Sequence, residues 1–314
     1  MKYTLDLDQL LAEGKITTEE YERLRAYAAR ATGSLVFNLL IGFSVIAVSG
    51  GALALLPKPT TATALGLVVL GGGLGLLLRQ AEMWRLLANI CLLVGALLTG
   101  GGVIAFGNAQ PASFWTVFAL FTVTTVVAQS SLLAVLATLM LSACLGVGTG
   151  YGHAAYFIFV EKPLLTVVVF TLLAIALYQL SKRAPSNYEG VTLAAARTSV
   201  LIANLGFWVG SLWGDWLWME KDFHLHSQPP IPAFVFALAW AGALLVAALW
   251  AWRRNRRWVV NTVAVFGGIH FYTQWFEQLG ASPETVLAAG VLALGFTVGL
   301  RFLNLRMQAS ALHT

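Results

Sequence analysis

Three polar side chains, His270, Gln274 and Glu277, lie within or just after an apolar run near the end of the chain. Their spacing of i, i+4 and i+7 places them on one face of a helix. An imidazole, an amide and a carboxylate on one face could relay a proton or hold a cation. In the simpler alternative, His270 and Gln274 hydrogen-bond to neighbouring helices, and Glu277 lies at the membrane boundary.

Arg197 and Asn204 form a second polar pair, seven residues apart in another apolar run. A guanidinium inside a bundle could hold an anion or a carboxylate, whereas one that reaches the polar boundary needs no ligand. No aspartate or glutamate lies in the middle of any apolar run. This argues against a proton pump built on a central acid, because such pumps place carboxylates at that depth.

A third candidate is a metal site in the longest polar loop, formed by Asp222, His224 and His226. Two histidines with a carboxylate suit zinc or copper, although solvated loop residues have the same composition. Cys91 and Cys144 lie singly in apolar runs, which favours small core residues over a disulfide or a metal ligand.

Motifs typical of enzymes are missing from the sequence. It contains no phosphate-binding loop, nucleophile elbow, zinc-protease motif or haem-attachment motif. A membrane-embedded enzyme would need a cluster of convergent catalytic groups, and no such cluster is legible. We therefore expect no cofactor and assign no catalytic residue.

The elements that must position these side chains are membrane helices. Of the 314 residues, 58% are hydrophobic and only 11% are charged, against about 25% charged in soluble domains. Apolar runs long enough to cross a bilayer predict an all-α, polytopic helical bundle of about ten spans. We place these spans at 35–56, 62–78, 86–106, 114–128, 132–150, 164–180, 191–213, 232–252, 258–276 and 283–303. If the fourth and fifth formed one re-entrant element, eight or nine spans would remain.

The loop from Trp250 to Trp258 orients the bundle, because it holds four arginines flanked by tryptophans. Arginines stay on the cytoplasmic side during insertion, and indole rings prefer the headgroup layer. With this loop inside, only Lys58, Lys162 and Lys221 of the nineteen Lys and Arg residues fall outside. The pattern predicts a bacterial inner-membrane protein with both termini in the cytoplasm. The net charge of +5 reflects this topology, so no nucleic-acid partner is expected.

Glycines predict where the helices approach each other most closely. Small residues four apart let two helices pack tightly in lipid. The glycines with this spacing are Gly206, Gly210 and Gly214, then Gly71 and Gly75, then Gly295 and Gly299.

The glycines at 146, 148, 150 and 152 differ because they repeat every second residue. That period does not form a helical face. It indicates an unwound end to the fifth span, either as a flexible exit or as part of a substrate path.

Residues 1–33 predict a small cytoplasmic helical hairpin ahead of a membrane domain at 34–307 and a short tail at 308–314. Gly14 suits the left-handed position after a first helix. Thr17 and Glu20 match a capping box at the start of a second helix. The hairpin is too small for a robust core of its own, so we expect it to contact the membrane domain, lipid headgroups or a protein partner.

Both ends of the chain resemble the DUF2157 family of bacterial polytopic membrane proteins. The head, from Leu10 to Glu20, is similar to that family's leading segment of helix, glycine, Ile-Ser/Thr and acidic residue. The tail, from Asn261 to Met307, resembles its closing spans, with His270-Phe271-Tyr272 followed by Glu277. The resemblance implies a membrane location and no activity.

Three functions are compatible with this sequence. The first is an accessory, scaffold or sensor protein whose hairpin meets a partner. The second is a carrier for a small solute or ion, with a path near Arg197, His270 and Gln274. The third is a membrane enzyme. The bilayer is the expected partner in all three, and the sequence gives no oligomeric state.

Overall fold

The computed structural model describes residues 10–11, 13–79, 84–152, 155–216 and 229–311. Over these residues the chain forms ten long helices and one β-hairpin. In chain order they are α1 (Thr18–Leu55), α2 (Pro59–Leu78), α3 (Arg85–Phe106), α4 (Pro111–Ala128), α5 (Ser131–Cys144), β1 (Val147–Gly152), β2 (Ala155–Val160), α6 (Pro163–Ser181), α7 (Ser186–Trp213), α8 (Ala233–Arg253), α9 (Arg257–Leu279) and α10 (Pro283–Ala311).

Seven of the described helices have the length and composition of membrane spans. They are α1 from Phe37 onward, α2, α3, α4, α6, α7 and α8. Large apolar side chains lie exposed along them, among them Phe43, Val68, Leu172 and Leu238. A water-facing surface of this kind would be unstable, whereas hydrocarbon accepts it. The all-α prediction is confirmed, and the bundle is that of a multi-pass membrane protein.

The other three predicted spans are also helices, but they are not in this set. The prediction for 132–150 is wrong in part, because α5 ends at Cys144 and strand β1 follows. Helix α9 is long enough, but polar residues such as Asn261 and His270 make it less apolar. Helix α10 is apolar from Pro283 to Gly299 and continues to Ala311, so the helix itself is long enough to cross a bilayer.

Proline marks the start of four helices. Pro59, Pro111, Pro163 and Pro283 are the first residues of α2, α4, α6 and α10. Proline suits this position because its fixed φ is already helical and its missing N–H would have no partner inside the helix.

The chain divides into two compact units. Unit 1 contains Met1–Leu141 and Pro185–Ala194, and unit 2 contains Ser142–Ala184 and Ala195–Thr314. The predicted boundary at residue 33 is not a helix boundary, because α1 runs through it without a break.

The core of unit 1 forms where α2 and α3 pack backbone against backbone. A Cβ added at Gly66 would overlap the backbone nitrogen of Thr99, and one added at Gly95 would overlap that of Leu70. Such an approach is possible only without side chains at the crossing. Buried side chains from α3 to α5 continue this core: Leu92, Ala96, Val117, Phe121 and Leu133.

An asparagine of α1 completes the start of α3 within unit 1. Asn38 is 2% exposed, and its Oδ1 accepts a hydrogen bond of 3.2 Å from the backbone N–H of Leu87. Residue 84, which precedes α3, supplies no side-chain cap. Because the first amides of a helix have no partner inside it, a side chain from α1 takes that role.

The head before α1 has the turn and the cap that its sequence predicts. Gly14 has φ +65°, and the N–H groups of Gly14 and Lys15 donate to the carbonyls of Leu11 and Leu10, as in a Schellman motif. Thr17 and Glu20 form the capping box. The Thr17 backbone N–H, and then its hydroxyl, lower the pKa of the Glu20 carboxyl.

The predicted helical hairpin itself is not established. Most of the first head helix, including residues 6–9, lies outside the described residues. The predicted second head helix is the beginning of α1, which continues for 38 residues to Leu55. The polar head segment and the first span are therefore one helix.

Three of the period-two glycines, Gly148, Gly150 and Gly152, belong to a strand of unit 2, and Gly146 lies just before it. Strands β1 and β2 pair antiparallel, with Gly148 opposite Phe159 and Gly150 opposite Phe157. A Cβ at Gly148 would lie 2.6 Å from the Phe159 ring, and one at Gly150 would lie 2.5 Å from the Phe157 ring. Every second residue of a strand shares a face, so the glycines leave room for the rings of the facing strand. The predicted unwound span end is corrected to a β-hairpin.

Candidate intramembrane polar site

A tryptophan of α8 occupies the centre of the polar cluster in unit 2. Trp240 is fully buried, and its indole N–H donates a hydrogen bond of 2.9 Å to Oδ1 of Asn204 on α7. The Asn204 amide nitrogen in turn donates to the carbonyl of Val200 at 2.8 Å. Helices α7 and α8 are thus joined by a hydrogen bond that fixes the orientation of the Asn204 amide.

His270 of α9 packs directly against this tryptophan. The two ring centroids are 4.9 Å apart, with an edge-to-face angle of 73°. Phe207 of α7 is parallel to the same indole, with a centroid distance of 6.4 Å. Trp240 therefore has contacts with rings from both α7 and α9, and edge-to-face packing of this kind adds to the burial energy.

Two polar atoms on one face of α9 are buried without a hydrogen-bond partner. They are Nδ1 of His270 and Nε2 of Gln274, which lie one helical turn apart. Leaving such a group unpaired costs about 1–3 kcal/mol, and hydrocarbon offers no water to replace the missing partner. Polar groups kept at this cost inside a membrane bundle are typical of functional sites.

Further hydrogen bonds set the rotation of α9. Between His270 and Gln274, Thr273 accepts a hydrogen bond of 3.0 Å from the indole N–H of Trp208 on α7. On the α10 side, the indole N–H of Trp275 donates to the carbonyl of Thr285 at 3.2 Å. With α7 on one side and α10 on another, α9 keeps the His270 and Gln274 face in one place.

The sequence-predicted site residues do not all come together. Asn204 and His270 meet through Trp240, and Gln274 lies one turn further along α9. Arg197 is exposed, with its guanidinium carbon 5.0 Å from the centroid of the Trp258 ring. Glu277 is exposed near the end of α9. The cluster consequently contains no formal charge from either of these two residues.

The predicted metal site cannot be placed, because Asp222, His224 and His226 lie outside the described residues. Within the described part of the chain, no group of three or more His, Cys, Asp or Glu side chains could hold a metal ion.

The predicted glycine faces divide into two groups. Gly206 packs against α6, where a Cβ would lie 3.1 Å from Val167, and Gly210 lies under the ring of Phe236. Gly214 also makes a close approach, to Ile231, but it has φ +71° and follows the end of α7.

The remaining predicted glycines, which are Gly71, Gly75, Gly295 and Gly299, would meet nothing within 4 Å if a Cβ were added. No described residue of this chain therefore packs closely on these four positions, and close helix packing at them stays a prediction. Helix α2 instead uses Gly66 and Gly73, seven residues apart, because that spacing keeps one face toward α3 over two turns.

Sequence reasoning missed two residues that matter for unit 2. Trp240 lies in the middle of an apolar run, whereas tryptophans that anchor helices lie near the ends; this position was the available signal. Asp215 is 1% exposed, and its Oδ2 accepts a 2.7 Å hydrogen bond from the N–H of Leu164 at the start of α6. No local pattern pairs residues this far apart.

No protein-family model matches the chain, and no curated protein or solved structure is significantly similar to it. The functional argument therefore depends on the chemistry of the cluster around Trp240.

Proposed function

We propose that the protein is a multi-pass protein of the bacterial inner membrane, with both termini in the cytoplasm, that carries a small polar solute through unit 2. The observation that supports this most is the pair of unpartnered atoms, Nδ1 of His270 and Nε2 of Gln274, beside the Trp240–Asn204 hydrogen bond. The charge distribution supports the orientation, and ten helices in the predicted places support a count of about ten spans. Membership of the DUF2157 family remains a proposal that depends on the two ends of the chain.

The chemistry of the cluster favours a neutral solute with an oxygen acceptor. The Gln274 amide nitrogen donates hydrogen bonds, and Nδ1 of a neutral histidine accepts or donates one according to its tautomer. Arg197 and Glu277 lie exposed and outside the cluster, so neither offers a counter-ion to a charged solute. The aromatic rings packed around the cluster make its surroundings apolar, which suits a compact, partly apolar molecule. Small polyols and amides meet these requirements.

The proposal predicts that His270→Leu/Gln274→Leu separates transport from stability. In proteoliposomes, the wild-type chain should accelerate the swelling caused by glycerol or urea, measured by light scattering. In the double variant, the protein-dependent rate of swelling should be roughly tenfold lower, which is equivalent to about 1.4 kcal/mol. The variant's thermal stability should stay close to that of the wild type, because removing the desolvation cost of two unsatisfied polar groups offsets the lost ring contact between His270 and Trp240.

A matched control is Gln179→Leu, which makes the same change from amide to leucine outside the cluster. The Gln179 side chain lies at the end of α6 and accepts a hydrogen bond from Lys182. This variant should transport like the wild type. A purely structural role for His270 and Gln274 gives the opposite pattern for the double variant, namely lost stability with unchanged swelling. That result would rule out the proposed site.

A second candidate function, an accessory component with a protein partner, is favoured by the head. The helix α1 begins nineteen residues before its apolar part at Phe37, and a capping box fixes its first turn. A polar helical segment with a defined start is suited to recognition by another protein.

For this second function, deleting residues 1–30 should release a stoichiometric partner that co-purifies with the full chain. The apolar helices should keep their thermal stability, because the deleted segment precedes Phe37. The double variant Thr17→Ala/Glu20→Ala tests the cap alone and should weaken the association without abolishing it, since a lost cap costs about 1 kcal/mol. Retention of the partner by the deletion variant would contradict this function.

A further inference from the structure

Aromatic rings and a lysine connect the ends of α6 and α8 in unit 2. The Lys182 ammonium lies 4.4 Å from the centroid of the Tyr178 ring, and this ring is 6.3 Å from that of Trp250, edge to face. Arg253 and Arg254 follow Trp250 by three and four residues, which places them one turn further along the same side of α8. Lysine and arginine side chains of two different helices therefore reach the same end of unit 2.

A second aromatic–cation contact connects α7 to the start of α9. The Arg197 guanidinium carbon lies 5.0 Å from the centroid of the Trp258 ring, and Trp258 is the second residue of α9. Because a guanidinium stacked on an indole keeps its N–H groups free at the edge, it can still donate to a phosphate.

A tight turn brings these two contacts to the same end. After α8, the N–H of Asn255 donates to the carbonyl of Trp252, and the N–H of Arg256 donates to that of Ala251. With φ +51° at Asn255, this is a Schellman motif. The turn thus fixes the directions in which Arg254 and Arg256 leave the end of α8.

The side chains at this end form a surface of exposed positive charge. We call it the basic collar, and it consists of Lys182, Arg183, Arg197, Arg253, Arg254 and Arg256, all exposed. Within the described part of the chain, no carboxylate forms an ion pair with any of the six. Their charge is therefore available to an anion from outside the protein.

We propose that the basic collar binds the phosphates of anionic phospholipids, of the phosphatidylglycerol or cardiolipin class. Helix ends with exposed tryptophans, here Trp250 and Trp252, lie at the headgroup layer, where phosphates are most concentrated. For a loop to stay on the cytoplasmic side during insertion, its positive charges can lie anywhere within it. This orientation does not require an arginine held against a ring of a neighbouring helix, as Arg197 is by Trp258, or a lysine held against a ring of its own helix, as Lys182 is by Tyr178. This proposal concerns the membrane surface and is independent of the solute site.

The test compares two triple variants of the full-length protein, purified into nanodiscs. Lys182→Gln/Arg253→Gln/Arg254→Gln removes three collar charges. Arg79→Gln/Arg85→Gln/Arg301→Gln removes three other exposed charges and serves as the matched control. Native mass spectrometry counts the phosphatidylglycerol and phosphatidylcholine molecules retained after mild detergent extraction.

We expect the wild type and the control to retain phosphatidylglycerol in preference to phosphatidylcholine. In the collar variant, the ratio of retained phosphatidylglycerol to phosphatidylcholine should be roughly tenfold lower. In phosphatidylcholine alone, all three proteins should unfold at the same temperature. Equal losses in both triple variants, or no lipid preference in the wild type, would overturn the proposal. So would stabilisation by inorganic phosphate or by an RNA oligonucleotide that equals the effect of phosphatidylglycerol.

Discussion

Trp240→Ala should be the most destabilising single substitution in unit 2. It removes a fully buried indole, its ring contacts with Phe207 and His270, and the hydrogen bond to Asn204. Truncation of a large buried aromatic side chain costs about 3–5 kcal/mol. The loss should be measured by equilibrium unfolding in mixed micelles, and solute-induced swelling should fall in parallel.

Two further tryptophan variants separate the causes of this loss. Trp240→Phe keeps a ring but leaves Oδ1 of Asn204 without its donor, so it should cost about 1 kcal/mol, within the range for hydrogen bonds between membrane helices. Trp252→Ala truncates an exposed tryptophan of the same helix and should change little. If Trp240→Ala were no more destabilising than Trp252→Ala, the assignment of Trp240 to the centre of the cluster would be wrong.

Gly95→Leu should have the largest effect in unit 1. A Cβ at this position would overlap the backbone of Leu70, so the whole leucine side chain would force α2 and α3 apart. Overpacking of a tight interior commonly costs 1–3 kcal/mol, and more where backbone must move. Unfolding in mixed micelles, followed by tryptophan fluorescence, should show a clear loss of stability.

Gly71→Leu is the matched control, because a side chain there meets nothing within 4 Å. Leucine also favours the helix over glycine, so this variant should be as stable as the wild type or slightly more stable. Equal destabilisation by both substitutions would mean that glycine is needed at both positions for a reason other than the α2–α3 crossing.

Much of the fold follows from local properties of the chain. Nine of the ten predicted spans coincide with helices and the tenth does so in part, the prolines begin four of the helices, and Thr17 with Glu20 forms the cap that its spacing predicts. These features depend on composition and on residues within one turn of each other. The site was predictable to the same extent, because Asn204, His270 and Gln274 are polar residues in apolar runs.

The parts that could not be predicted depend on the register between distant segments. A four-residue glycine repeat marks a helix that can pack closely, but it does not say whether another helix faces it, and Gly71 faces none. Trp240 and Asn204 meet only through the side-by-side position of α7 and α8.

The hairpin was predictable in principle. Phe157 and Phe159 have the same period of two as Gly148 and Gly150. Considered together, the two stretches describe facing strands, with large residues on one opposite small residues on the other.

The two long-range caps impose an order on biosynthesis. Asn38 precedes α3, so its amide is already in place when the ribosome delivers Leu87. Asp215 follows α6 by more than thirty residues, so the amide of Leu164 emerges long before the carboxylate that will satisfy it. Until translation has passed the end of α7, the N–H of Leu164 therefore lacks the carboxylate that caps the start of α6 in the folded protein.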